Sequence, residues 1–213
     1  MQFIEKKIED YAVKMSSNPS SLCHDIEVYT NLNVPMPQML AGPLENSFLG
    51  FLIRLMDPKI IVELGTFTGY STLSMAENLS EQGKIFTFDI DEKTQNIAKQ
   101  FWNHSSHKNK IYPILKPAIV GLKDFKDEID LAFVDANKTE YPDYLDILFQ
   151  KLSARGIIIV DNVLWSGKVL ESNPDEETMA IREATIMAKN NPNFYTTLLP
   201  IRDGLLLIQR RQQ

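Results

Sequence analysis

The sequence predicts an α/β fold: a doubly wound, mainly parallel sheet of seven strands, with helices on both faces and an antiparallel hairpin closing it. Two patterns predict it. From Ile60 to Lys189, short apolar runs rich in β-branched residues alternate with helical stretches, the mark of crossover units and a parallel sheet. After Lys189, two strand-like runs flank Asp203-Gly204, the mark of a hairpin.

The elements follow in order. Phe3, Ile4, Ile8, Tyr11 and Ala12 recur at helical spacing, and the first fifty-odd residues read as helical. Asn33, Pro35, Pro37, Gly42 and Pro43 break the pattern between Leu32 and Pro43. A helix then runs from Leu44 to about Met56 and stops at Asp57-Pro58. Ile60 to Val62 is a strand, Gly65 to Gly69 a turn and Tyr70 to Leu79 a helix. Lys84 to Phe88 is a strand, Glu92 to Trp102 a helix and Ile111 to Leu115 a short strand. Ile129 to Val134 is a strand, Tyr141 to Leu152 a helix and Gly156 to Val160 a buried strand. Asn173-Pro174-Asp175-Glu176 opens the last helix, with Asn173 as cap and Pro174 at its first position. That helix runs to about Lys189, and strands Phe194 to Leu199 and Leu205 to Gln209 form the hairpin. A single domain over 1–213 is expected, with amino-terminal helices and a covering segment in 1–56 and the sheet core in 57–213.

Composition excludes several classes. Of 213 residues, 44% are apolar and 23% charged, the balance of a folded globule and not of a disordered chain. Cys23 is the single cysteine, so there is no disulfide framework. No apolar run approaches a membrane span of ~18 residues, and the first residues lack a signal-peptide core. A cytoplasmic protein is expected. The net charge of −6 disfavours nucleic acid as the main partner. A local basic patch would be enough to reverse that, and Arg210-Arg211 is the nearest to one; a solvated tail is the better reading.

In open sheets of this kind, ligands sit beyond the carboxyl ends of the strands. The first strand runs into Glu63-Leu64-Gly65-Thr66-Phe67-Thr68-Gly69-Tyr70-Ser71. A dinucleotide turn would need a glycine where Phe67 stands, and Glu63 adds negative charge near a site meant for a pyrophosphate. The same residues suit a cofactor with a cationic end and one carboxylate. Backbone N–H groups of Tyr70 and Ser71 can take the carboxylate at a helix start, and Glu63 favours an ammonium or sulfonium. Asp89, ending the second strand, can accept from both hydroxyls of a ribose. Together these features describe S-adenosylmethionine.

The fourth strand ends in Asp135-Ala136-Asn137-Lys138 and the fifth in Asp161-Asn162. If the two strands are neighbours, Asp135, Asp161 and Asn162 face one cleft. Two carboxylates ~4 Å apart would repel by about 4 kcal/mol at an effective dielectric near 20. A shared proton or a cation would offset that. Two carboxylates and an amide carbonyl are hard oxygen donors, suited to Mg²⁺, Mn²⁺ or Ca²⁺ in preference to Zn²⁺.

From about Met39 to Arg210 the chain resembles the cation-dependent class I O-methyltransferases, the family of caffeoyl-CoA O-methyltransferase and, more distantly, catechol O-methyltransferase. Val62 to Gly65 with Gly69-Tyr70-Ser71, Phe133 to Lys138, Val160 to Gly167, and Leu199 to Gly204 carry the likeness. Asn137 departs from the family pattern, where aspartate is more usual. The resemblance implies a Rossmann-like fold and methyl transfer from S-adenosylmethionine to a hydroxyl, with a vicinal diol such as a catechol as a fitting acceptor. It implies a cofactor pocket lined by Met39, Ala41, Glu63, Gly65, Phe67, Tyr70, Ser71, Asp89, Ala118 and Asp135. It implies metal ligation by Asp135, Asp161 and Asn162, and a homodimer. Beside such a cation, Lys138 is expected to have a lowered pKa and to act as general base. Trp165 is expected to wall an aromatic acceptor. Tyr141 and Tyr144 sit at helical spacing and read as core. His24, His104 and His107 read as solvated.

Other readings compete. A nicotinamide-dependent oxidoreductase lacks its second glycine at Phe67. A methyltransferase for a modified tRNA nucleoside or a protein carboxylate would keep the cofactor and change the acceptor. A non-catalytic binding module is opposed by intact Asp135, Lys138, Asp161 and Asn162.

Overall fold

A computed structural model describes residues 4–17 and 19–211; Phe3, counted above with the first helix, lies outside them. Seven strands form one sheet: β1 (Ile60–Leu64), β2 (Lys84–Asp89), β3 (Ile111–Leu115), β4 (Ile129–Val134), β5 (Leu152–Val160), β6 (Phe194–Leu199) and β7 (Leu205–Arg210). Their order is β3-β2-β1-β4-β5-β7-β6. The order reverses between β1 and β4, the switch point at which ligands bind in such sheets. Eight helices accompany them among the described residues: α1 (Lys6–Met15), α2 (Ser21–Asn33), α3 (Pro43–Met56), α4 (Tyr70–Asn78), α5 (Glu92–Trp102), α6 (Ala118–Asp124), α7 (Tyr141–Lys151) and α8 (Glu176–Asn190). None of these helices is long and apolar enough to cross a membrane.

The chain divides into two compact units, one holding Ile4–Lys59 and Thr66–Pro117, the other Ile60–Gly65 and residues 118–211. In the first, β2 and β3 pair in parallel from Ile85↔Ile111 to Asp89↔Leu115. Its helices begin where local chemistry satisfies their first N–H groups. Ser20 accepts from Cys23 N at 3.2 Å. Asp91 accepts from Lys93 N at 2.8 Å. Gly42 precedes Pro43 at the first position of α3, and Glu45 reaches back to Gly42 N. Asp57 ends α3 at φ 47°, just before Pro58.

In the second unit β4 pairs in parallel with β1 and β5, and β7 runs antiparallel to β5 and β6. Leu131, Ala132, Phe133, Val134, Ile158, Ile159 and Val160 are all buried. Such continuous burial explains why these strands read as apolar runs without alternation. Each large side chain there contributes roughly 1.5–3 kcal/mol by leaving water. Asp130 ties the strand starts together: it accepts from Ile60 N at 3.0 Å and from Ser153 Oγ at 2.8 Å.

Three details depart from the sequence reading. Helix α6 was not expected; Pro117, just before it, was the available signal. Strand β5 begins at Leu152, four residues before Gly156, because its pairing with β4 shifts register between Ile129 and Leu131. The cap of α8 is Asp175 and not Asn173, so Pro174 lies outside the helix. Asp175 wins because its carboxylate accepts from Thr178 N at 2.9 Å and also takes the Thr178 hydroxyl.

Those bonds from Thr178, with Lys168 Nζ at 3.0 Å, hold the Asp175 carboxyl down at about 2. A depressed carboxyl stabilises the fold above its unfolded value of ~3.9, and that contribution is lost as pH falls through about 2. Asp175→Ala is therefore expected to lower the melting temperature near neutral pH. The gap to the parent should close as the pH falls from about 4 to about 2. A gap independent of pH would show that the carboxylate charge has no part in capping.

Candidate active site

The paired strands β4 and β5 decide where the acidic residues fall. Their last partners are Val134 and Val160, so Asp135 and Asp161 follow at matching positions on neighbouring strands. Asp161 N donates to Val134 O at 3.0 Å, and Asp135 N to Leu64 O of β1 at 2.8 Å. Asp161 is buried, 3% exposed, and its Oδ1 accepts from Asn162 N at 2.6 Å. Asn162 itself stands at φ 60°, a conformation that Asn tolerates better than most residues. The condition set by the sequence, that the two strands be neighbours, is met.

Lys138 lies one short turn after Asp135 and is 8% exposed. Its Nζ donates to Asp135 Oδ1 at 2.7 Å and stands 5.1 Å from the centre of the Tyr141 ring. Burial works to lower the lysine pKa, but the Asp135 carboxylate and Tyr141 outweigh it and hold it above its ordinary value. That direction belongs to the chain alone, whereas the lowered pKa is expected of a lysine beside a bound cation. In this arrangement its Nζ is paired with a carboxylate at the end of β4.

Tyr141 and Tyr144 are buried, as their helical spacing predicted. Tyr141 also does what spacing did not reveal. Its hydroxyl donates to Asp161 O at 3.1 Å and lies 3.4 Å from Val134 O, so one phenol spans both strand ends. Burial raises its pKa, which keeps the hydroxyl protonated and donating. Tyr144 donates to Glu140.

Beyond Asn162 the chain turns through three successive residues of positive φ: Trp165 at 45°, Ser166 at 52° and Gly167 at 85°. For Trp and Ser this region costs on the order of 1–3 kcal/mol each, and it persists only when the surroundings over-determine it. Trp165 is partly buried. Lys138 Nζ and Lys168 Nζ each stand 5.8 Å from its ring centre, and its Nε1 is buried without a hydrogen-bond partner. Arg182 of α8 donates to the carbonyls of Lys168, Val169 and Glu171, clasping the segment that follows.

Among the described residues no three His, Cys, Asp or Glu side chains gather to hold a metal. Asp135, Asp161 and Asn162 supply two carboxylates and one amide oxygen from matched positions, and this donor set fits a hard divalent cation. His104 is exposed and His107 contacts Lys110 Nζ at 3.3 Å, and among the described residues neither belongs to a cluster of metal-ligating side chains.

Of the residues expected to line a cofactor pocket, Glu63 is fully buried within β1 and Ala118 opens α6 in the second unit. Gly65 sits at φ 98°, and a Cβ there would stand 2.0 Å from Asp135 O. In the first, Phe67 adopts φ 49°, the left-handed conformation that a glycine would have taken more cheaply. Gly69 at φ 82° starts α4; a Cβ on it would meet the Trp102 ring at 2.4 Å, and Trp102 Nε1 donates to Gly69 O at 3.0 Å. Tyr70 and Ser71 follow, both buried, while Met39 is exposed and Ala41 partly so.

Asp89 turns out busier than its assignment to a ribose implied. One carboxylate oxygen accepts from Thr66 N at 2.9 Å and Phe67 N at 2.8 Å; the other accepts from Ile90 N at 2.7 Å and Asp91 N at 2.9 Å. Four backbone amides make it the anchor of the turn.

A family model described as O-methyltransferase matches residues 13–211. The caffeoyl-CoA O-methyltransferase of Stellaria longipes is 30% identical over 190 residues, covering 83% of this chain and 78% of that protein. The flavonoid 3',5'-methyltransferase of Vitis vinifera is 34% identical over 193 residues, covering 84% and 79%. Among solved structures, the SAH-bound methyltransferase PaMTH1 of Podospora anserina superposes with a TM-score of 0.90 at 26% identity, covering 100% of this chain and 98% of that one.

Proposed function

Since this chain belongs to the O-methyltransferase family, we propose that it is an S-adenosylmethionine-dependent, divalent-cation-dependent enzyme of the caffeoyl-CoA O-methyltransferase type. Its acceptor is a small molecule with neighbouring hydroxyls, such as a catechol. The observation that carries this reading is the matched placement of Asp135 and Asp161 at the ends of β4 and β5, with Asn162 and Lys138 beside them. The names of the Stellaria and Vitis relatives, a caffeoyl-CoA and a flavonoid methyltransferase, support an aromatic acceptor.

In the reaction a methyl carbon leaves sulfur and bonds to oxygen. The sulfonium becomes a thioether, and the hydroxyl proton passes to Lys138 and from there to solvent. Asp135, Asp161 and Asn162 would hold Mg²⁺, Mn²⁺ or Ca²⁺, which when bound lowers the pKa of a hydroxyl. Lys138, 2.7 Å from the Asp135 carboxylate, is the residue placed to take the hydroxyl proton as general base, a role that a neighbouring cation favours by lowering its pKa. Trp165 offers a flat face to an aromatic ring, its angle set by the backbone of the loop. The turn anchored by Asp89 presents the N–H groups at the start of α4 to a carboxylate, and Glu63 brings the charge that favours a sulfonium. What remains is alignment: oxygen, carbon and sulfur must be nearly collinear, and positioning of this kind supplies a large share of the rate.

A catechol with S-adenosylmethionine tests the reading. Thorough chelation is expected to abolish methylation, and added Mg²⁺ or Mn²⁺ to restore it. Turnover that survives chelation would remove the cation from the proposal. No methyl transfer to any vicinal diol, with cation supplied, would remove the acceptor class.

A further inference from the structure

We propose that Asp203, in the turn between β6 and β7, is a positioning residue that holds the loop carrying Asn162 and Trp165 in its acceptor-binding form. The inference rests on the functional reading above for what the loop does, but not for what holds it.

Three hydrogen bonds join the two segments. Val163 N donates to Gly204 O at 3.1 Å, Leu164 N to Asp203 O at 2.8 Å, and Ser166 N to the Asp203 carboxylate at 2.6 Å. The third is the informative one. Ser166 sits at φ 52°, ψ 27°, a conformation that a serine does not keep unaided. The carboxylate of Asp203 grips the N–H of this residue, one position after Trp165. The hairpin is shaped for the purpose. Gly204 stands at φ 92°, and a Cβ there would meet Leu164 Cγ at 2.5 Å, so the glycine lets the turn close on the loop. Arg202 also takes a positive φ, 50°. Ser166 on the loop, and Arg202 and Gly204 on either side of Asp203, thus stand in conformations that favour glycine, and the hydrogen bonds between the segments run in one direction, from loop N–H to hairpin oxygen. A charged acceptor makes the stronger version of such a bond. The loop's geometry therefore depends on a side chain nearly forty residues downstream.

Asp203→Ala, Asp203→Asn and the double variant Asp203→Ala/Ser166→Gly form the test. Hydrogen exchange reads the Val163 to Gly167 amides, steady-state kinetics read the acceptor with Mg²⁺ present, and calorimetry reads S-adenosylhomocysteine. Asp203→Ala is expected to speed exchange at Ser166 about tenfold or more and to lower kcat/KM for a catechol about tenfold. S-adenosylhomocysteine affinity should not move. Asp203→Asn keeps an acceptor oxygen and is expected to stay near the parent. Ser166→Gly should restore part of the loss, because glycine holds φ 52° without a partner. If Asp203→Ala does not fold, Asp203→Ser replaces it, its hydroxyl being too short to span the gap. Parental exchange and kinetics in the Ala or Ser variant would overturn the proposal, as would an Asn variant as impaired as Ala. Faster exchange at Ser166, in a protein that methylates no diol even as the parent, would leave this proposal standing and remove the functional reading instead.

Discussion

Asp161→Ala is expected to lower methyl transfer by about a hundredfold or more, since even outer partners of a metal site are worth 10–100-fold, while S-adenosylhomocysteine still binds within about twofold of the parent. The loss has two sources. Asp161 supplies one of only two carboxylates at the matched strand ends, and its Oδ1 also takes the N–H of Asn162. Removing it therefore takes away one oxygen donor and loosens a second, at a residue held at φ 60°. The side chain is 3% exposed, so alanine leaves a small cavity that water can enter. Cofactor affinity should survive because Asp161 is not among the residues expected to line the cofactor pocket, and the turn anchored by Asp89 makes its own hydrogen bonds. Single-turnover methylation and calorimetry, on one preparation, check both halves. Normal turnover in the variant would remove Asp161 from the chemistry. Loss of both activities would make it a structural residue.

Gly65→Ala is expected to be the most destabilising single change at the site. An alanine Cβ would stand 2.0 Å from Asp135 O, closer than any real Cβ approaches a backbone atom, at φ 98°. Forcing extra volume into a packed place costs about 1–3 kcal/mol, and the positive φ adds roughly 1 kcal/mol. For a chain of this size each kcal/mol lowers the melting temperature by about 2–4 °C, so a drop on the order of 5–15 °C is expected. The strand end that must yield carries Asp135, whose N–H is bound to Leu64 O. Activity should therefore fall further than stability alone would take it. Urea unfolding and methylation, compared below both unfolding midpoints, separate the two effects. A variant as stable as the parent would mean that β1 and β4 can part at this point without penalty.

How much of this was readable beforehand varies from residue to residue. Strands β1, β4 and β5 announced themselves because they are buried on both faces and so are apolar throughout. Once their ends were placed, Asp135, Asp161 and Asn162 followed as neighbours, since parallel pairing carries register from one strand to the next. Helix α6 escaped because seven residues scarcely complete two turns of periodicity. The cap of α8 was misplaced by two residues because Asn173 and Asp175 are both good caps, and only the bonds to Thr178 and Lys168 choose between them.

The order of types along the chain thus determined the fold, the strand ends and the kinds of atom that meet there, because periodicity and register are local properties that repeat. What it left open were the states of those atoms. Whether Lys138 is acid or base depends on a carboxylate 2.7 Å away and on exclusion of water. Whether Asp89 faces a ligand or a turn depends on four amides closing around it. Whether Trp165 keeps its angle depends on Asp203, far along the chain. Charge and hydrogen bonding are settled by distance in space and by the local dielectric, and only the folded chain fixes either.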